Sequence, residues 1–369
     1  MSLKTKIQGE FEQIWEGMLS DYVTAIAWSS QGTILAASSA AGEVVLYHSP
    51  EQQLVKYLVK YLVKYLVKYL QTSDGESINS LVFSTDGQFL AAGGQNGQVK
   101  IWRLQSEEAE LITVLENNRT WVDRMDWSPT KNQLAFSCGR YVQVWNADTG
   151  NIETTLNFDT SSVQDITWHP NGESLAIAGY QSVKFWMSAN WDDDPSVIPV
   201  DSTSLVILWS TDGKYIASGN MDRSITVLEW NDPNPWVMRG FPGKVRNLAW
   251  SDTPTKSGAP LLAASSVEGI VIWEKNADNW DSRVLPKHEG NILSIQFQPN
   301  THLLASASED GSVCLWNQSK RLLQVLYGAN NGFSCLSWHP HESKLAAGGK
   351  NGELIIWSPG SRGQGFGRR

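Results

Sequence analysis

One block of residues recurs eight times along this 369-residue chain. It opens with a short β-type run closed by an aromatic, turns, passes through small residues, turns again, and ends in a β-branched run closed by a second aromatic. Asn291–Trp316, NILSIQFQPNTHLLASASEDGSVCLW, is the clearest copy. The first aromatics are Trp28, Phe83, Trp127, Trp168, Trp209, Trp250, Phe297 and Trp338. The second are Tyr47, Trp102, Trp145, Trp186, Trp230, Trp273, Trp316 and Trp357, with Trp230 the least well aligned. Such a period means that each unit is a small sheet that cannot bury its faces alone, so neighbours must stack. Length by itself suggests two or three domains. Stacked repeats build one body instead.

Successive first aromatics stand 55, 44, 41, 41, 41, 47 and 41 residues apart. The 47 carries an inserted turn, Asp252–Pro260. The 55 carries the tandem LVKYLVKYLVKYLVKY at Leu54–Tyr69, and removing three surplus copies leaves an ordinary interval. Within a unit the pattern has period two, and both faces are largely apolar, as in strands covered on two sides. Tyr22–Trp28 shows it: Val23, Ala25 and Ala27 alternate with Tyr22, Thr24, Ile26 and Trp28. Gly-containing turns follow four of the first aromatics: SSQG, STDG, HPNG and STDG. Each unit therefore supplies strands a, b and c. Units one to seven add a fourth, d.

Unit eight has no such run after Trp357. Phe11–Leu19, FEQIWEGML, precedes unit one and has no sheet of its own. The expectation is that it completes the last sheet and removes an exposed edge. The fold expected is all-β: a single closed propeller of four-stranded blades, eight in number, with seven as the alternative. Residues 1–10 form a lead, 11–359 the propeller with the LVKY insertion at 54–69, and 360–369 a disordered Arg/Gly tail.

Composition narrows function. The chain has 29 basic and 38 acidic residues, formal net charge −9. That argues against nucleic acid, whose binding needs a basic footprint. Cys138, Cys314 and Cys335 sit in predicted strands without CxxC spacing and read as free thiols in a reducing, cytoplasmic compartment. The N-terminus carries no apolar leader, and no run is long and apolar enough to span a bilayer.

The blocks Leu90–Arg103 (LAAGGQNGQVKIWR), Leu304–Asn317 (LASASEDGSVCLWN) and Leu345–Ser358 (LAAGGKNGELIIWS) resemble the WD40-repeat β-propeller family over nearly the whole chain. The family's Trp-Asp ending is absent: the follower is Arg103, Asn146, Met187, Glu274, Asn317 or Ser358. So is the Gly-His dipeptide before strand a. Unit seven keeps most of the family's polar network, and the resemblance implies a buried chain through His288, Ser306, Asp310 and Trp316. It also implies a binding face built by d–a connections and b–c turns. Counting back six from each first aromatic gives Tyr22, Ser77, Trp121, Ser162, Thr203, Lys244, Asn291 and Gly332. Counting back four gives Thr24, Asn79, Asp123, Gln164, Leu205, Arg246, Leu293 and Ser334. Tyr22, Trp121, Asp123, Lys244 and Arg246 stand out, with Arg119 and Arg223 in nearby loops, because Trp, Tyr and Arg dominate binding hot spots. Trp121 could instead pack within its own blade.

Other candidates have plainer readings. His288, Ser306 and Asp310 imitate a Ser/His/Asp set, but Ser306 lies inside an apolar strand rather than a strained, exposed turn. His169, His339 and His341 read as turn residues; a His339/His341 pair lacks the third ligand of a zinc site. Asp192–Asp194 lack calcium-loop spacing and read as a solvated loop. The LVKY tandem would run about 56 Å as one strand, so it reads as a duplicated d strand extruded at the rim. A basic arm for an anionic surface is the other reading. The function expected is a monomeric, non-enzymatic scaffold holding protein or peptide ligands on the top face, with no cofactor and no metal. The alternatives are a surface-attached protein using the LVKY arm, or a metal-binding or catalytic propeller.

Overall fold

Backbone hydrogen bonds draw the repeated runs into antiparallel sheets. The structure, a computed structural model, describes residues 10–48, 66–105 and 108–360. Unit one forms Val23–Trp28, Ile34–Ser39, Val44–His48 and Leu66–Gln71, in that spatial order. Units two, three, six and seven repeat the arrangement: each strand pairs with the next, from first aromatic outward. The first strand of every unit lies against the first strand of the next, and that of unit eight lies against that of unit one. First strands are therefore innermost and fourth strands outermost.

The last sheet takes its outer strand from the other end of the chain. Phe11–Met18 pairs antiparallel with Glu353–Pro359, from Phe11↔Pro359 to Met18↔Glu353. Phe11 is buried in the cluster that holds Trp338 and Trp357. Gln324 of unit seven clasps its backbone, donating to Phe11 O and accepting from Phe11 N, both at 2.8 Å.

The expectation of eight four-stranded blades is corrected. The hydrogen bonds define seven sheets, the seven-blade alternative: six of four strands and one of six. No unit is left out. Units four and five share the six-stranded sheet because two strands, Ser174–Met187 and Ser196–Trp209, each run for 14 residues. Ser196–Trp209 pairs with unit four from Phe185↔Ser196 to Tyr180↔Thr203, then with unit five from Ser204↔Asn220 to Trp209↔Ile216. The stretch between, VDSTS, has no glycine or proline to end the ladder. The chain reverses inside Ser174–Met187 around Gln181, which takes a left-handed φ of 57°.

One joint recurs between units. The indole N–H of Trp28 donates to Ser337 O (3.2 Å), Trp127 to Val82 O (3.3 Å) and Trp168 to Asp126 O (3.2 Å). Trp250 donates to Leu208 O (3.0 Å) and Trp338 to Gln296 O (3.1 Å). Each acceptor is the residue just before the preceding unit's first aromatic. Each bond satisfies a buried donor that would otherwise cost about 1–3 kcal/mol. Trp209 departs from this rule. Its buried Nε1 has no partner among the described residues, and its ring meets His169 edge-on at 4.5 Å.

Candidate partner-binding face

The residue five before each first aromatic is buried in all eight units: Val23, Ile78, Val122, Val163, Ser204, Val245, Ile292 and Phe333. In extended backbone the residues on either side of a buried one point the other way. That is why most positions six and four before the aromatic are at least partly exposed; Leu205, Gly332 and Ser334 are buried. Backbone bonds then tie four of the entry segments to the preceding b–c turn. Val122 N donates to Gly94 O, Val163 N to Gly139 O, Val245 N to Asn220 O and Ile292 N to Val267 O, at 2.8–3.2 Å.

Units one to four build a concavity of about 440 Å³ at this end of the sheets. Tyr22, Thr24, Asn79, Asp123, Ser162 and Gln164 line it, with Arg124 and Val163. Asn79 Nδ2 donates to Asp123 Oδ1 at 2.7 Å across the joint between units two and three. Burial pushes the Tyr22 phenol above its ordinary pKa. The structure thus brings Tyr22 and Asp123 together. Trp121, Arg119, Lys244, Arg246 and Arg223 lie outside this concavity. Trp121 is 55% exposed, so its ring is not packed away within its own sheet. Arg119, in the connection before it, is exposed and left-handed at φ 61°.

Sequence reading missed Asp126, one residue before Trp127. Its Oδ2 accepts from Trp168 N at 2.8 Å while its carbonyl accepts from the Trp168 indole. Burial raises the carboxyl to about 7, with Asp165 adding repulsion. Asp165 Oδ1 pairs with Arg124 Nε at 3.1 Å, and its Oδ2 accepts from Ile207 N at 2.8 Å. Gln296 repeats the Asp126 clasp on Trp338, at 2.8 Å to its N. Asp126 and Gln296 hold the same register position, one residue before the first aromatic of their units.

In unit seven the indole of Trp316 donates to Ser306 Oγ at 2.9 Å. Ser306 Oγ lies 2.8 Å from His288 Nε2, and His288 Nδ1 lies 2.9 Å from Asp310 Oδ2. An indole only donates. Ser306 therefore turns its hydroxyl hydrogen to Nε2, and Nδ1–H faces the carboxylate. Burial lowers the His288 pKa. Ser312 Oγ adds a bond to Asp310 Oδ1 at 2.6 Å. Ser306 is fully buried, with no room for a substrate carbonyl.

The remaining candidates resolve as contacts. His339 Nε2–H donates to Gly32 O at 2.9 Å, and its Nδ1 accepts from His341 N and Glu342 N. His341 Nε2–H donates to Ser30 O at 2.8 Å. His169 Nε2–H donates to Gly213 O at 3.1 Å. Asp192, Asp193 and Asp194 are exposed in a turn. Among the described residues no group of three His, Cys, Asp or Glu converges for a metal. The thiols of Cys314 and Cys335 are pushed up to about 11 by burial. The last LVKY copy lies in the strand Leu66–Gln71; the other three, and the tail 361–369, lie outside the described residues.

Innermost first strands, an N-terminal strand in the last sheet and a joint repeated from unit to unit meet their counterpart in known sequences. A family model described as "Nucleolar protein 10-like, N-terminal domain" matches residues 6–187. The model "WD domain, G-beta repeat" matches 199–228, 280–317 and 320–358. The chain belongs to the WD40-repeat β-propeller family. Among relatives of this WD40 propeller, the WD repeat-containing protein WDS homolog of Arabidopsis thaliana is 24% identical over 302 residues. That match covers 75% of this chain and 54% of the relative. The transcriptional corepressor LEUNIG_HOMOLOG of Arabidopsis thaliana is 22% identical over 283 residues, covering 74% and 34%. The SEC13 homolog of Drosophila melanogaster is 21% identical over 262 residues, covering 69% and 68%. The propeller spans about half the length of the first of these relatives. No helix among its described residues is long and apolar enough to cross a membrane.

Proposed function

We propose that this propeller is a non-enzymatic, monomeric scaffold, a single closed ring over residues 11–359, that seats a protein or peptide over the end where units one to four form their concavity. One observation carries the reading. Unit three presents Trp121, more than half exposed, where most other units place smaller residues. A large aromatic held in water by a buried neighbour, Val122, is a pre-ordered anchor for another surface. The polar rim of Tyr22, Asn79, Asp123 and Gln164 supplies orientation without fixing a reaction. Ring closure is supported by the contact of unit eight on unit one and by the Trp28–Ser337 joint between them. WD-repeat relatives with names as different as a corepressor and a SEC13 homolog fit a shared surface role. Three free cysteines fit a reducing, cytoplasmic setting.

Affinity capture from the source organism tests the proposal. The wild type and the Trp121→Ala/Arg246→Ala variant would be compared as bait, with circular dichroism as the fold control. Loss of a wild-type partner from the folded variant is the expected result. An unchanged set of partners sinks the reading.

A further inference from the structure

Units five and six present a second kind of surface on the same face. Val245 is fully buried against Gly219, where an added Cβ would meet its side chain at 2.9 Å. Lys244 and Arg246 flank it and are exposed. The bond from Val245 N to Asn220 O, 3.2 Å, fastens this segment to the b–c turn that carries Met221 and Arg223. Arg223 is exposed with a left-handed φ of 69°, and Met221 is 41% exposed. On the other side Gly243 N donates to Ser266 Oγ at 2.9 Å. The neighbouring Val267, left-handed and 42% exposed, packs over Gly243.

Three cations and two apolar side chains therefore share one sector. Neither Arg223, Lys244 nor Arg246 has an ion pair or a side-chain hydrogen bond among the described residues. The acids nearby are mostly committed. Asp222 and Asp201 both pair with Arg239, at 3.4 and 2.7 Å. Glu268, beside Val267, is exposed and is the one acid of the two turns without a described ion pair. The sector is thus positive on a chain of net charge −9. The chain's own segments outside the described residues supply no acidic run: 49–53 and 106–107 hold one acid each, Glu51 and Glu107, and residues 1–9 carry only Lys4 and Lys6. Residues 361–369 carry Arg362, Arg368 and Arg369, and the undescribed LVKY copies carry Lys56, Lys60 and Lys64.

We propose that this sector, Met221, Arg223, Lys244, Arg246 and Val267, docks an acidic peptide segment of a partner protein, its carboxylates on the cations and an apolar side chain between Met221 and Val267. The proposal deepens the scaffold reading and rests on it. Electrostatic complementarity of this sort sets orientation and on-rate, and it weakens with salt.

The probe is a short fluorescein-labelled peptide of Glu and Asp with two Leu, read by anisotropy. Its controls are the Gln/Asn version of the same peptide and a single-stranded oligonucleotide. Saturable binding of the acidic peptide alone is expected, weakened at least tenfold by high salt and by the triple variant Arg223→Glu/Lys244→Glu/Arg246→Glu. Equal binding of the Gln/Asn peptide, indifference to the triple variant, or tighter binding of the oligonucleotide overturns it. The salt series needs no variant and stands if the triple variant fails to fold. A captured partner lost by Trp121→Ala/Arg246→Ala but kept by the triple variant overturns the acidic-segment proposal and leaves the scaffold reading standing.

Discussion

The imidazole of His339 donates to the carbonyl of Gly32 at 2.9 Å, although 307 positions of chain separate them. His169 makes the same bond to Gly213, only 44 positions away. In both, the residue after a unit's first aromatic reaches the a–b turn of the next unit. The joint between last and first units is thus built like an internal joint.

Gly32 has φ +72°, and a Cβ there would stand 2.2 Å from His339 Nε2. Gly32→Ala is expected to lower stability by more than the ~1 kcal/mol of a left-handed alanine. Adding His339→Ala should restore part of the loss, because the clash goes with the ring. Urea unfolding of the two single variants and the double variant measures the coupling. Additive losses would mean that the two residues do not touch.

Asp126→Asn should stabilise the protein at alkaline pH. The folded carboxyl sits near 7, above its ordinary value. A group raised on folding stabilises fully below its unfolded pKa, and that contribution is lost as pH rises through the folded value. Asn keeps an oxygen for Trp168 N and has no charge to bury. The melting-temperature gain should be largest near pH 8 and shrink towards pH 5. A gain that does not change with pH would refute the account.

His288→Ala should cost about 1–3 kcal/mol, since it leaves the buried Ser306 hydroxyl hydrogen without an acceptor and removes one of the bonds to Asp310. The wild-type imidazole is held neutral, its pKa lowered by burial. A lowered base stabilises above its unfolded pKa, and the contribution is lost as pH falls through the folded value. The variant should therefore lose part of the wild type's sensitivity to mild acid, read as denaturant midpoints from pH 7 to pH 5.

Deleting Leu54–Tyr65 should leave the fold intact. The copies are identical, so the shortened chain still reads LVKYLQ where Leu66–Gln71 pairs with Val44–His48. Gln71 keeps its place, with Nε2 on Gly42 O at 2.7 Å and Oε1 accepting from Lys100 Nζ at 2.8 Å. The connection falls to five residues, within the usual hairpin range. A melting temperature within a few degrees of wild type is expected.

The strand pattern was legible because aromatic positions and alternation record burial directly. The positions flanking Val122 and Val245 are reached through the family resemblance, not through alternation. The merging of units four and five was not legible. It depends on Thr203 pairing with Tyr180 across a connection whose residues suit a strand as well as a loop. Nor was the clasp of Asp126 on Trp168, since its partner is a backbone N–H 42 residues away and periodicity within one unit does not see it.

The Trp-to-carbonyl joint has a consequence for how such a chain changes over generations. Each unit that begins with tryptophan brings one half of the fastening and offers the other half to its successor. Copying or excising a whole unit therefore leaves two compatible ends facing each other. Gene-level duplication can alter the size of the assembly without first inventing a new fit.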